Sequence, residues 1–404
     1  MAAGLVQVMN SPTNLYASKA TPFWRDERVL QLVTQVVTLL AILLAGGWLI
    51  RNMFVALELR GIPPSFSFLN LTSQFDIGQP KGWHIRDDPY WNAFLVGLYN
   101  TILVSFIGII LATIWGTVIG IARLSSNYLI AKLAQLYVEA IRGIPLLIFM
   151  IFVYQGVFMK FPKVDDSIIA GDWLYINVRG IYTVRGVPTP MFQTYSVILF
   201  AGLIAAAGVA WMLIRKRQIT GQTPMTGLWT IGTFLAVAFL GWIILPSAPF
   251  SPEYPLPEGF NIQGGMRWTP EFCAVGFALV IYTASFVAEI VRGGIMSVSK
   301  GQIEAARSLG LSAIDTMRIV VMPQALRVII PPLTSTWMSL TKNSSLALAV
   351  GYPDVVAIAG TVQMQSGRAV EVWFMMVMPV YLTLSLLTSA FGNWYNKRMK
   401  IVEL

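Results

Sequence analysis

Long stretches of about twenty residues or more with few or no charges recur along this chain, at about 29–49, 94–122, 132–158, 195–214, 227–246, 271–292, 326–348 and 370–391. A helix of about 20 apolar residues crosses a hydrocarbon core of about 30 Å, and in lipid every backbone polar group has to be satisfied within the segment. The chain therefore reads as an all-α polytopic membrane protein with about eight transmembrane helices. Composition agrees, with 56% hydrophobic and only 12% charged residues among 404, about half the charge of a soluble domain. The run at 29–49 competes with a signal peptide, but it is longer than an ordinary apolar signal core and lacks a convincing small-x-small cleavage site, so it reads as a retained helix.

The net charge of +9 does not point to nucleic acid, because the basic residues collect in short connections beside the apolar runs. Segments 1–28, 123–132, 215–226, 292–327 and 393–404 hold 16 basic and 5 acidic residues, whereas 51–92, 159–194 and 247–270 hold 9 of each. The positive-inside rule puts the first set, with both termini, in the cytoplasm. Arg215, Lys216, Arg217, Lys397, Arg398 and Lys400 weigh most in that assignment. On the other side, Trp83, Trp91, Trp173, Trp268 and the stretch PSAPFSPEYPLPEGF at 246–260 suit a rim at the outer interface, serving as anchor and spacer or as a docking surface.

The lone Cys273 and the lone His84 cannot build a disulfide or a metal site, and no phosphate-binding loop or nucleophile elbow occurs. The expectation is a protein that is not an enzyme and binds no cofactor itself.

One polar island stands out, KGQIEAARSLG at 300–310, between two apolar runs. Ile303, Ala305, Ala306 and Leu309 form a short amphipathic turn, Gly301 and Gly310 punctuate it, and Glu304 with Arg307 can stiffen it. From these residues alone, a docking helix and a solvated loop are both open.

The island resembles the EAA motif of bacterial ABC importer permeases: Glu304, Ala305, Ala306 and Gly310, then Pro323 preceded by Met322 where leucine is usual. GQIEAARSLGLS with PQALRVIIPPL, YVEAIRGIPLLIFMIFVY at 137–154 and SLTKNSSLA at 339–347 are similar to permeases for polar amino acids. The likeness covers about 94–160 and 270–398, five helices in all. The helix at 29–49 and the pair at 195–214 and 227–246 are additional, as in long permease subunits of general L-amino-acid ABC transporters. The expected organisation is a tail, helix and periplasmic loop at 1–90, a first core part at 91–160, inserted segments at 161–269, and a second core part at 270–398.

The resemblance implies a type I importer permease in the bacterial inner membrane. Gly301, Gln302, Glu304, Ala305, Ala306 and Gly310 would form a coupling helix for a cytoplasmic ATPase dimer, which carries the ATP and Mg. It further implies a second permease subunit, related or identical, an extracytoplasmic amino-acid-binding protein, and an L-amino acid as substrate. An ion-gradient-driven amino acid carrier is the competing class, which needs intramembrane ionisable groups and usually internal repeats.

Charges inside spans are costly and face partners or cavities. Glu-x-x-Arg-Gly occurs twice, at Glu139–Arg142 and at Glu289–Arg292. Two pairings are open: across the helices, Glu139 with Arg292 and Glu289 with Arg142, or locally within each helix. Lys342, Asn343, Ser344 and Ser345 read as lining the substrate path, with the ammonium meeting a substrate carboxylate or a protein partner such as Asp354. Thr283, Ser285 and Asn100 are further path candidates, the first two competing with a role in helix packing. Gly116 and Gly120 have the spacing of close-packed membrane helices.

Overall fold

The computed structural model describes residues 27–59, 61, 65–78, 86–220, 225–259 and 261–399. The tail at 1–26, Trp83, His84, Lys400 and the side chain of Arg398, named above, lie outside the described residues. Among the described residues six helices are long and apolar enough to cross a membrane, or up to eight if each of two bent pairs forms one span.

The chain divides into two compact units, Met1–Phe66 and Ser67–Leu404. The first contains α1 (Glu27–Leu59), which runs ten residues beyond the expected span. The second begins with a short turn, Ser67–Asn70. Phe68 and Ile77 are buried in one cluster with Tyr90, Phe94, Val355 and Ile358. The expected 1–90 segment is thus shared between the two units.

In the second unit α2 (Tyr90–Ala122) is one unbroken helix, whereas the run expected as one span at 132–158 is two helices, α3 (Tyr128–Arg142) and α4 (Leu146–Gly156), bent by 103°. Pro145 supplies no backbone N–H and pushes Ile144 away from helical geometry, so the ladder stops there. Next come α5 (Met191–Thr220), α6 (Thr226–Ile244), α7 (Pro270–Met296), α8 (Lys300–Ser308) and the single turn α9 (Ala313–Asp315). A π-helical stretch, Thr316–Val321, leads into α10 (Met322–Asn343). The tight turn Ser344–Val350 leads into α11 (Val355–Ser366), bent by 54° from the helix before it. A second π stretch, Glu371–Val377, opens α12 (Met378–Met399).

The core is organised around α7, whose Ala274, Val275, Ala278, Leu279, Ala284, Val287 and Ala288 are completely buried. Lipid tails are as apolar as leucine, so helices here associate by close packing of small residues. Gly116 and Gly120 of α2 do this against α7: a Cβ on Gly116 would stand 2.7 Å from the Ala284 carbonyl oxygen, and one on Gly120 2.8 Å from that of Ala288. The added pair, α5 and α6, interlocks in the same way, Gly202 against Val237 and Gly241 against Ile198, with the Tyr195 hydroxyl donating to the Ala238 carbonyl at 3.1 Å.

The segments on either side of that hairpin form a β-layer that the sequence did not announce. It contains β1 (Ile168–Ala170), β2 (Leu174–Asn177), β3 (Gly180–Thr183) and β4 (Arg185–Pro188) before α5. After α6 come β5 (Phe250–Glu253), β6 (Leu256–Glu258), β7 (Asn261–Gln263) and β8 (Met266–Trp268). An antiparallel sheet runs β1-β2-β3-β8, while β4 pairs with β5 and β6 with β7. The 246–260 stretch was expected as an extended spacer; its strand prolines, Pro252 and Pro257, are accommodated because, among the described residues, β5 and β6 each pair with a single strand. Phe192, Tyr195, Trp242 and Phe250 stack where the hairpin meets β5. Ile181 of β3 packs on Val153, Phe158 and Ala274, which seats the sheet on the ends of α4 and α7.

Candidate functional site

At the end of α7 opposite the β-layer, about 40 Å away at 1.5 Å per residue, the polar island folds as the nine-residue helix α8. Its inner face is small and apolar: Ala306 is buried, and Ile303 packs on a cluster containing Val291, Val298 and Val321. Gly301, Gln302, Glu304, Ala305 and Arg307 are exposed on the rest. The helix is closed by paired hydrogen bonds, Gly310 N–H to the Arg307 carbonyl at 2.9 Å and Leu311 N–H to the Ala306 carbonyl at 3.2 Å. This closure places Gly310 at φ +80°, a left-handed conformation that glycine adopts without penalty. Leu309 and Ile314 stand 83% and 78% exposed beside it.

The second polar region is the break after α10. Lys342 is exposed and, among the described residues, makes no ion pair. Ser344 and Ser345 donate to carbonyls of their own turn, those of Thr341 at 2.8 Å and Lys342 at 2.7 Å, and Asn343 is half-buried. Asp354 does not meet Lys342. It is fully buried and caps α11, accepting from the Ala357 N–H at 2.8 Å and the Tyr381 hydroxyl at 3.4 Å. An aspartate before a helix satisfies orphan N–H donors, and that local use wins here over a long-range ion pair.

Asn100, expected along the path, is buried and ties two segments together. Its amide donates to the Pro353 carbonyl at 2.8 Å, its own carbonyl accepts from the Tyr352 hydroxyl at 3.2 Å, and neighbouring Thr101 accepts from the Val355 N–H at 3.0 Å. Gly97 permits this approach, because a Cβ there would lie 3.0 Å from the Val355 Cα. Thr283 and Ser285 are also enclosed, and Ser285 donates to the Tyr282 carbonyl at 2.6 Å.

The crossed ion pairs do not form. Glu289 pairs with Arg123, at the end of α2, and with Arg292 on its own helix. Glu139 accepts from Gln135 at 2.7 Å, and the Arg142 guanidinium lies 5.0 Å from the Phe286 ring centre. Arg123 was missed because it directly follows an apolar run and counts there as a topology charge; no spacing within the sequence links it to Glu289. The Tyr381 and Tyr352 ties were equally invisible.

A family model described as the binding-protein-dependent transport system inner membrane component matches residues 105–401. The chain belongs to this family. Like it, the general L-amino acid transport system permease protein AapQ of Rhizobium johnstonii is 41% identical over 384 residues, 94% of either chain. The putative amino-acid ABC transporter permease protein YhdX of Escherichia coli is 40% identical over 377 residues, 91% of this chain and 94% of its own. BztB of Rhodobacter capsulatus, a glutamate/glutamine/aspartate/asparagine transport system permease protein, is 36% identical, covering 94% and 95%. The permease is therefore a transport subunit of the inner membrane.

Proposed function

We propose that this chain is the membrane-spanning subunit of an ATP-driven importer for L-amino acids of the polar or general class. The names of its relatives, all amino acid permeases, support the substrate class. The observation that carries the mechanism is α8, a short helix with its small apolar face on the bundle and Gln302, Glu304, Ala305 and Arg307 turned outward. A cytoplasmic ATPase dimer docks on that outer face, and its closure on ATP moves α8 together with α7 and α10 as one packed body. The outward opening that follows admits substrate from an extracytoplasmic binding protein, and a second permease subunit completes the path. Lys342, beside Asn343, supplies a cation for the substrate carboxylate where α10 gives way to the turn Ser344–Val350.

The test is amino-acid-stimulated ATP hydrolysis in reconstituted membranes containing the ATPase, both permeases and the binding protein. Gly310→Glu adds a side chain at a left-handed position, which costs roughly 1–2 kcal/mol, and a charge at the docking face. Stimulation should vanish while the complex still assembles. Uptake that persists without ATP and ignores the variant would refute the coupling role of α8.

A further inference from the structure

β1 is the outermost strand of the four-stranded sheet, and among the described residues no strand pairs with its free edge. An open edge presents a row of backbone donors and acceptors to any extended segment. Its side chains are apolar and open to solvent: Ile168 is 55% exposed, Ile169 58%, and the nearby Trp173 55%. Ile168 stands opposite Ile176 and Ile169 opposite Tyr175, so the two isoleucines project on opposite faces of the sheet. Asp165, Asp166 and Asp172 flank the strand and are exposed, as are Lys160 and Lys163 just before them, and no lysine or proline lies within β1 itself.

Lipid does not fit this surface. An open sheet edge has no partners for its backbone in hydrocarbon. A protein surface that contributes an extended segment, an apolar patch and basic side chains satisfies all three features. The family depends on a binding protein, and the β-layer occupies the end of α7 away from α8. Resting on the importer reading above, we propose that the free edge of β1, with Ile168, Ile169, Trp173 and the flanking aspartates, is the docking surface for the substrate-binding protein. A segment of that protein extends the sheet along β1, and its basic side chains meet Asp165, Asp166 and Asp172. A strand of three residues gives a short interface, which suits a partner that must leave after each delivery.

The experiment uses the complete complex in nanodiscs and the amino-acid-loaded binding protein that stimulates wild-type ATP hydrolysis. Its affinity is measured for wild type, for Ile169→Asp and for the double reversal Asp165→Lys with Asp166→Lys, with assembly followed by size exclusion. Ile169→Asp should weaken binding at least tenfold, with full stimulation returning at saturating binding protein. The reversal should slow association and flatten its salt dependence. Affinities within twofold of wild type in both variants would overturn the proposal. Quenching of Trp173 by brominated lipid, unchanged on adding binding protein, would assign the edge to the membrane and overturn it too. Loss of the second permease from the Ile169→Asp complex would make it a subunit contact. If no binding protein stimulates the wild type, the importer reading falls and this surface with it.

Discussion

Asn100 on α2 donates its side-chain amide to the Pro353 carbonyl oxygen at 2.8 Å, joining residues 253 positions apart. Pro353 lies between the turn ending at Gly351 and the Asp354 cap of α11, so this bond holds the bend after α10 against α2. Interhelical hydrogen bonds in membranes average about 0.6 kcal/mol, and a buried acceptor left unsatisfied costs about 1–3 kcal/mol. Asn100→Leu keeps the size and removes the donor. It should destabilise the permease by about 1–2 kcal/mol, read as an earlier midpoint in denaturant unfolding in detergent; an unchanged midpoint would show that the tie is dispensable.

Replacing Gly116 should break the α2–α7 contact, because its missing Cβ is what lets the Ala284 carbonyl approach. Overpacking of this kind costs about 1–3 kcal/mol. Gly116→Leu should sharply lower the monodisperse fraction after extraction. Gly276→Ala, where a Cβ meets nothing within 4 Å, should leave it at the wild-type level.

The Arg123–Glu289–Arg292 group predicts a specific rescue. Glu289→Arg sets three cations side by side and should abolish stable expression or transport. Adding Arg123→Glu should restore it in part, since that exchange recreates the interhelical pair. Adding Arg142→Glu should not, because Arg142 lies on Phe286. Rescue by the Arg142 variant alone would reverse the assignment.

Lys342→Ala should lower uptake into proteoliposomes by at least tenfold while leaving subunit assembly intact, because the side chain is exposed and makes no ion pair among the described residues. Lys342→Arg should retain part of the uptake, since the cation remains. Wild-type uptake by the alanine variant would remove Lys342 from the path.

Several features were legible from local pattern. The polar island at 300–310 left helix and loop both open; the structure makes it helix α8, which contains Gly301 and is closed by Gly310 as its position suggested. Gly116 and Gly120 carried the packing spacing. The bend at Pro145 was equally available, since proline ends a helical ladder by its own covalent structure, yet the apolar run across it hides the break when hydropathy alone is followed. The β-layer was hidden for another reason: its strands are three or four residues long, too short for alternation to rise above loop composition.

What the sequence determined by itself was the solvent the chain folds in, the rough position of its apolar spans, and the polar island at 300–310 that interrupts them. These follow from hydropathy and backbone hydrogen bonding, which act within a segment. The tertiary structure decided the partners: Glu289 with Arg123, Asn100 with Pro353, Asp354 with its own helix and Tyr381. An isolated polar group in a membrane has several chemically acceptable partners, and which one it meets depends on how closely glycines such as Gly97 and Gly116 let the helices approach.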